Sequence, residues 1–171
     1  MDVPPSEQEQ EFREDFKLTI KEINQLEYQA DADTPNATCS YDLELTQYGS
    51  VSGSRLFLPA NPLYRFESLC LSDRRIHDLH SETSHSEHNI TKVVLPSGYV
   101  VESLPAPKHL GDEQFGNYHL EVSEGAGYLL IERSLNIPVL RLEADLYDEM
   151  CAFFKLIEAA DKAAIVLKAN P

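Results

Sequence analysis

Four histidines crowd into residues 77–88, His77, His80, His85 and His88, and Asp78, Glu82 and Glu87 are interleaved with them. Imidazole and carboxylate are the ligands that zinc or nickel takes, and two HxxH pairs share one ion if the chain folds back on itself. The spacing is not HExxH, because Glu82 and Glu87 stand at the wrong offsets for a helix that holds a metal and a general base. A structural metal site also draws its ligands from rigid elements. Residues 72–89 have no apolar period and read as one long polar loop. No metal ligand is assigned.

Nucleophilic chemistry needs a cysteine or serine beside a histidine that a third group holds in place. Cys39, Cys70 and Cys151 are widely separated, odd in number and without a CxxC pair, so they predict free thiols packed as small apolar groups rather than a disulfide framework. Cys39 and Cys151 fall on inward-facing stripes, and Leu69-Cys70-Leu71 has no helix start nearby to lower a thiol pKa. There is no Gly-x-Ser-x-Gly elbow. Gly125-Ala126-Gly127 lacks both the lysine of a P-loop and the third glycine of a dinucleotide fingerprint, and it leads into a strand, so it reads as a hairpin turn. Tyr41, Tyr64, Tyr99, Tyr118 and Tyr128 sit mostly in strand-like runs, where aromatics pack a core. Without a tryptophan, a sugar-stacking platform depends on tyrosines such as these. Asn36-Ala37-Thr38 and Asn89-Ile90-Thr91 match the glycosylation acceptor pattern. No catalytic residue and no cofactor is assigned.

The elements that would position these groups are mainly strands. Residues 1–15 are polar and acidic, a leader or a short helix. Phe16, Leu18 and Ile20 then alternate with polar residues like a strand, while Phe12, Phe16, Ile20 and Ile23 would also suit a helix. Cys39, Tyr41, Leu43 and Leu45 alternate with Ser40, Asp42, Glu44 and Thr46, the pattern of a half-buried strand. Gly49–Ser54 reads as a loop before the short strand Arg55–Leu58. Val93–Leu95, Tyr99–Val101, Tyr118–Val122, Tyr128–Ile131 and Ser134–Leu140 are further strands, the last on an edge because of Pro138. Leu146, Met150, Phe153, Phe154 and Ile157 recur at helical spacing, with Asp145 as the N-cap and an end near Lys162. Ile165–Leu167 closes the chain as a strand. The fold class is therefore mainly β, an antiparallel sandwich-like domain over residues 16–171 with one covering helix near its C-terminus.

The chain has 171 residues, is 42% hydrophobic and carries a formal net charge of −15, enough apolar content for a real core. Such acidity argues against nucleic acid, whose phosphates demand a positive footprint. It argues equally against an anionic membrane surface. No apolar run reaches the roughly 20 residues that a spanning helix needs, and Met1–Glu7 lacks the basic and apolar regions of a signal peptide.

From Arg55 onward a set of landmarks recurs in a familiar order. They are Arg55-Leu56-Phe57-Leu58-Pro59, Arg74-Arg75, the stretch Leu95-Pro96-Ser97-Gly98-Tyr99-Val100-Val101-Glu102-Ser103-Leu104-Pro105, and Phe115-Gly116-Asn117-Tyr118. After these come Leu130-Ile131-Glu132-Arg133, Tyr147, Phe153-Phe154, Ala160-Asp161 and Ile165-Val166-Leu167. This resembles the C-terminal domain of unknown function that follows the transglutaminase-like core in large secreted or periplasmic bacterial proteins. The papain-like Cys-His-Asp core of those proteins has no counterpart here, so the resemblance carries over no catalytic residue. It implies a non-catalytic accessory module of an exported parent, with a neighbouring domain or a protein as partner. Arg133 or Arg74 is expected to pair with carboxylates of the acidic chain. A small-ligand or carbohydrate module is the alternative, and a metalloprotein built on the histidine loop stands third.

Overall fold

The computed structural model describes residues 4–15, 19–30, 33–46, 48–61, 70 and 75–170. Phe16, Leu18, Tyr64 and Arg74, which figure in the sequence reading, lie outside them. The chain divides into two compact units, residues 1–48 and 49–171.

In the first unit the polar leader contains helix α1 (Pro5–Asp15), followed by the antiparallel strands β1 (Ile20–Ala30) and β2 (Ala37–Leu45). Arg13 anchors the end of α1, bonding Glu9 one turn back at 2.9 Å and donating to the Ile20 carbonyl at 2.9 Å. Irregularities in β1 between Ile20 and Glu22 and between Ile23 and Gln25 put three residues of β1 against two of β2, so Ile20, Ile23 and Leu26 face Leu45, Leu43 and Tyr41. Each bulge inserts one residue and turns a period of two into a period of three. That is why a helix over Phe12–Ile23 competes in the sequence, although from Ile20 on the segment is a strand. Phe12 is buried with its ring 5.0 Å from that of Tyr41. On β2 the alternation begins only at Tyr41, and Cys39, expected to face inward, is exposed.

The second unit holds the strands β3 (Ser50–Ser52), β4 (Arg55–Pro59), β5 (Leu79–His80), β6 (His85–Val94), β7 (Tyr99–Ser103), β8 (Lys108–Asp112), β9 (Gly116–Gly125), β10 (Tyr128–Ile137), β11 (Arg141–Leu142) and β12 (Ala164–Ala169). Helix α2 (Tyr147–Asp161) precedes β12. One sheet has the order β6-β10-β9-β8 and another the order β3-β4-β12-β7, all pairs antiparallel, while β5 and β11 form a small ribbon. The protein is thus mainly β with one C-terminal helix, as the sequence predicts. The polar run at 72–89 is not one loop, since β5 and β6 lie in it. Gly49–Ser54 contains β3, which turns at Gly53, φ 61°, into β4. The expected strands at 128–131 and 134–140 are one continuous strand, ended at Pro138.

Ala126-Gly127 closes the β9–β10 hairpin, with Gly127 at φ 79°, the backbone that a two-residue hairpin loop needs. The turn at Pro96-Ser97-Gly98 carries the chain from one four-stranded sheet to the other, because β6 pairs with β10 and β7 with β12. In that second sheet Arg55 of β4 reaches across β12 to Glu102 of β7, with Nη2 2.8 Å from Oε1. The hydrogen bond from Arg55 holds the Glu102 carboxyl below the usual carboxylate range. The pair's contribution is complete above the ordinary carboxylate pKa and is lost as pH falls through the depressed value. Glu102→Gln should flatten the acid limb of stability against pH, measured by urea unfolding at successive pH values.

The core takes the inner faces of β9 and β10 (Tyr118, Leu120, Val122, Leu129, Ile131, Leu135, Ile137), together with Leu58, Ile165 and Leu167. Helix α2 adds Met150, Phe153, Phe154 and Ile157, and the Phe153 ring stands 5.9 Å from Phe115. Asp145 does not cap this helix. It lies within a 3-10 turn, Ala144–Leu146, that leads into α2 without a side-chain cap. The cysteine expectation is also corrected. Cys70 and Cys151 form a disulfide with Cα atoms 5.7 Å apart, tying the chain at residue 70 to the first half of α2. Gly116 opens β9 at φ 121°, and a Cβ there would lie 2.1 Å from the Asn136 carbonyl oxygen. Gly116→Ala is expected to cost more than about 2 kcal/mol from backbone strain and this clash, measured by chemical denaturation.

Candidate functional site

Beneath the β6-β10-β9-β8 sheet lies a buried ionic network. Arg133 of β10 is 1% exposed and Asp161 at the end of α2 is 4% exposed, so both charges are removed from water. Such burial costs several kcal/mol per ion unless every charge is matched. Here the match is a fork. Arg133 donates through Nε to Asp161 Oδ1 at 2.8 Å and through Nη2 to Oδ2 at 3.0 Å. Its third donor, Nη1, reaches Glu87 Oε1 of β6 at 2.7 Å. Tyr118 of β9 donates its hydroxyl to Asp161 Oδ1 at 2.7 Å, and the Arg133 guanidinium lies 5.3 Å from the centre of its ring. Burial alone would lower the Arg133 pKa, but the bonds and charges of Asp161 and Glu87 outweigh it and hold it above its ordinary value. Burial and the Asp161 carboxylate push the Tyr118 phenol up. The expected pairing of Arg133 with carboxylates is present, and it fastens α2 to three adjacent strands.

Because strand side chains alternate, the same strands present their other residues outward. Their register draws a row of polar groups across all four strands: His88 opposite Ser134, Ser134 opposite His119, His119 opposite His109. The His109 and His119 rings stand 4.4 Å apart, with Nδ1 3.1 Å from Nδ1. On the row's carboxylate side, Glu132 Oε1 lies 3.3 Å from His88 Nε2, and Glu121 Oε2 lies 4.0 Å from His119 Nε2. One step along the strands in the other direction come Ser86, Asn136, Asn117 and Gly111. There a cleft of about 300 Å³ is lined by Gly111, Asp112, Glu113, Gly116, Asn117, Asn136 and Pro138. Asp112 Oδ1 accepts the Gln114 and Phe115 amides at 2.8 and 3.1 Å and so shapes the turn that walls it. The cleft offers carboxylates and carboxamides, and no tyrosine lines it.

The four histidines of the sequence reading are not gathered. His80 lies on β5, in the ribbon with β11, while His85 and His88 lie on β6. A separation of three along a strand puts His85 and His88 on opposite faces, and His85 turns to Glu87 at 3.8 Å. Among the described residues no group of three or more His, Cys, Asp or Glu side chains is placed to hold a metal ion. The cysteines offer no activated thiolate. Cys70 and Cys151 are joined, and partial burial pushes the Cys39 thiol up despite a hydrogen bond from Tyr28. Asn89, in one of the two acceptor patterns, points its amide nitrogen into the protein interior. The pair His109–His119 is hard to see in the sequence because β8 is short and polar. The signal is there: Phe115-Gly116-Asn117 marks a turn, and Lys108-His109-Leu110 alternates just before it.

A disulfide-bonded, mainly β module with a charge-locked helix behind one sheet and a polar outer face is the class that this geometry defines. The chain belongs to the DUF3858 family, a domain of unknown function known from solved structure, whose family model matches residues 54–167. The match lies within the second compact unit, residues 49–171. No curated protein and no solved structure matches the chain. No helix among the described residues is long and apolar enough to cross a membrane.

Proposed function

We propose that the chain is a non-catalytic accessory or interaction module of a larger, exported transglutaminase-like protein. The observation that carries this reading is the family match at residues 54–167, which falls on one compact unit whose buried charges, Arg133 and Asp161, are engaged with each other and with Glu87 and Tyr118. Groups that saturate each other's hydrogen bonds hold a shape and have none left to turn over a substrate. The Cys70–Cys151 bond supports export, since such bonds persist in oxidising compartments. The polar outer face of the β6-β10-β9-β8 sheet is the surface that a neighbouring domain or protein partner would use. A small-ligand role is the second reading, and the cleft at Asp112, Asn117 and Asn136 favours it.

The test is a turnover assay on the purified chain with ester, amide and γ-glutamyl substrates. The accessory reading expects no hydrolysis or acyl transfer above the buffer rate. Turnover that vanishes in Cys39→Ala, the variant lacking the chain's free thiol, would overturn it.

A further inference from the structure

We infer that His109 and His119 form a two-imidazole site for a divalent transition-metal ion of the zinc, nickel or copper class. Their residues are direct cross-strand partners on β8 and β9, and their Nδ1 atoms stand 3.1 Å apart. At that distance the two nitrogens either share one hydrogen, Nδ1–H of one ring donating to Nδ1 of the other, or hold a metal ion in its place. With metal–nitrogen bonds of about 2.0–2.1 Å, two ligands at angles between a right angle and the tetrahedral one are roughly 2.9–3.4 Å apart. The observed separation falls inside that window with no movement of the backbone.

The far ring nitrogen of His119 adds a second, independent indication. Its Nε2 faces the Glu121 carboxylate at 4.0 Å. At that distance the carboxylate acts through its charge, without a hydrogen bond, and favours the tautomer with Nε2 protonated and Nδ1 free. Both imidazoles also stand on paired strands of a four-stranded sheet, opposite each other and on one face, whereas His85 and His88 part to opposite faces. His109 is exposed, so water or a partner's side chain has access to the remaining coordination positions. Binding is a simple exchange: the metal takes the two Nδ1 lone pairs, and the hydrogen between them moves to the far nitrogen of its own ring when the pair is neutral, or to solvent when the pair carries an extra proton. No redox step is involved.

The experiment titrates the oxidised chain with zinc chloride, and separately with copper(II) chloride, in a non-coordinating buffer near neutral pH. Calorimetry follows the zinc and electron paramagnetic resonance the copper. The expected result is one saturable equivalent with a two-nitrogen copper signature. His109→Gln and His119→Gln should each weaken the affinity about tenfold or more, and Glu121→Gln, which removes only a nearby charge, should weaken it by less. His88→Gln, in the same row but paired with Glu132, should leave the affinity unchanged. The three ring positions are on the outer face, and a thermal melt of each variant confirms that it folds. Zinc binding that survives both His109→Gln and His119→Gln, or no saturable binding below about millimolar zinc, would overturn the site and leave the shared proton as the link between the rings.

Discussion

Asp161→Ala is expected to lower the unfolding free energy by about 3–5 kcal/mol, because it leaves the Arg133 guanidinium buried with only Glu87 for a partner. In a domain of this size that is a fall in Tm of about 10 °C or more. The loss arises mainly from an uncompensated charge and only in part from a missing attraction. Removing both ends of the fork together, with Arg133→Met and Asp161→Leu, should therefore recover much of the stability, although Glu87 then loses its partner too. Tyr118→Phe removes a single hydrogen bond from Asp161 and should cost about 1–2 kcal/mol. Urea unfolding of the four proteins checks the ordering. If Asp161→Ala and Tyr118→Phe cost the same, the fork is not what holds α2 against the sheet.

Reducing the Cys70–Cys151 bond should have an effect of similar size. The bridge spans a sequence separation of 81, and the loop-entropy relation gives about 4–5 kcal/mol for a closed loop of that length. Comparing the oxidised and reduced chain in urea tests this without substituting a residue. The oxidised protein should unfold at a markedly higher midpoint, and one thiol, Cys39, should react before reduction. Three reactive thiols in the protein as isolated from an oxidising compartment, or midpoints unmoved by reductant, would contradict the bridge.

These two features also explain what the sequence hid. The half-buried strand β2, the β9–β10 hairpin and the stripe of α2 were legible because apolar residues repeat there with the period of the element. The strand β6 was not. Its inward side carries Glu87, Asn89 and Thr91 in place of apolar residues, and Glu87 faces inward because Arg133 is there to meet it. The same Arg133, with Glu132 before it, broke the apolar alternation of β10 and made one strand look like two. A buried ion pair therefore erased the hydropathy signal on both partners at once. The disulfide was hidden for another reason: three scattered cysteines do not say which two meet, and only the approach of residue 70 to α2 decides it. The histidine cluster misled because closeness in sequence is not closeness on a sheet. His85 and His88 part to opposite faces, whereas His109 and His119, ten residues apart, are joined by the register of a hairpin.

The most direct test of the proposed accessory role is to titrate the isotopically labelled chain with a purified transglutaminase-like core, and to follow amide shifts by NMR. The account predicts saturable binding, with the perturbed amides on the outer strands of the β6-β10-β9-β8 sheet and the Arg133–Asp161 region undisturbed. Shifts absent across that sheet at core concentrations of several hundred micromolar would contradict it.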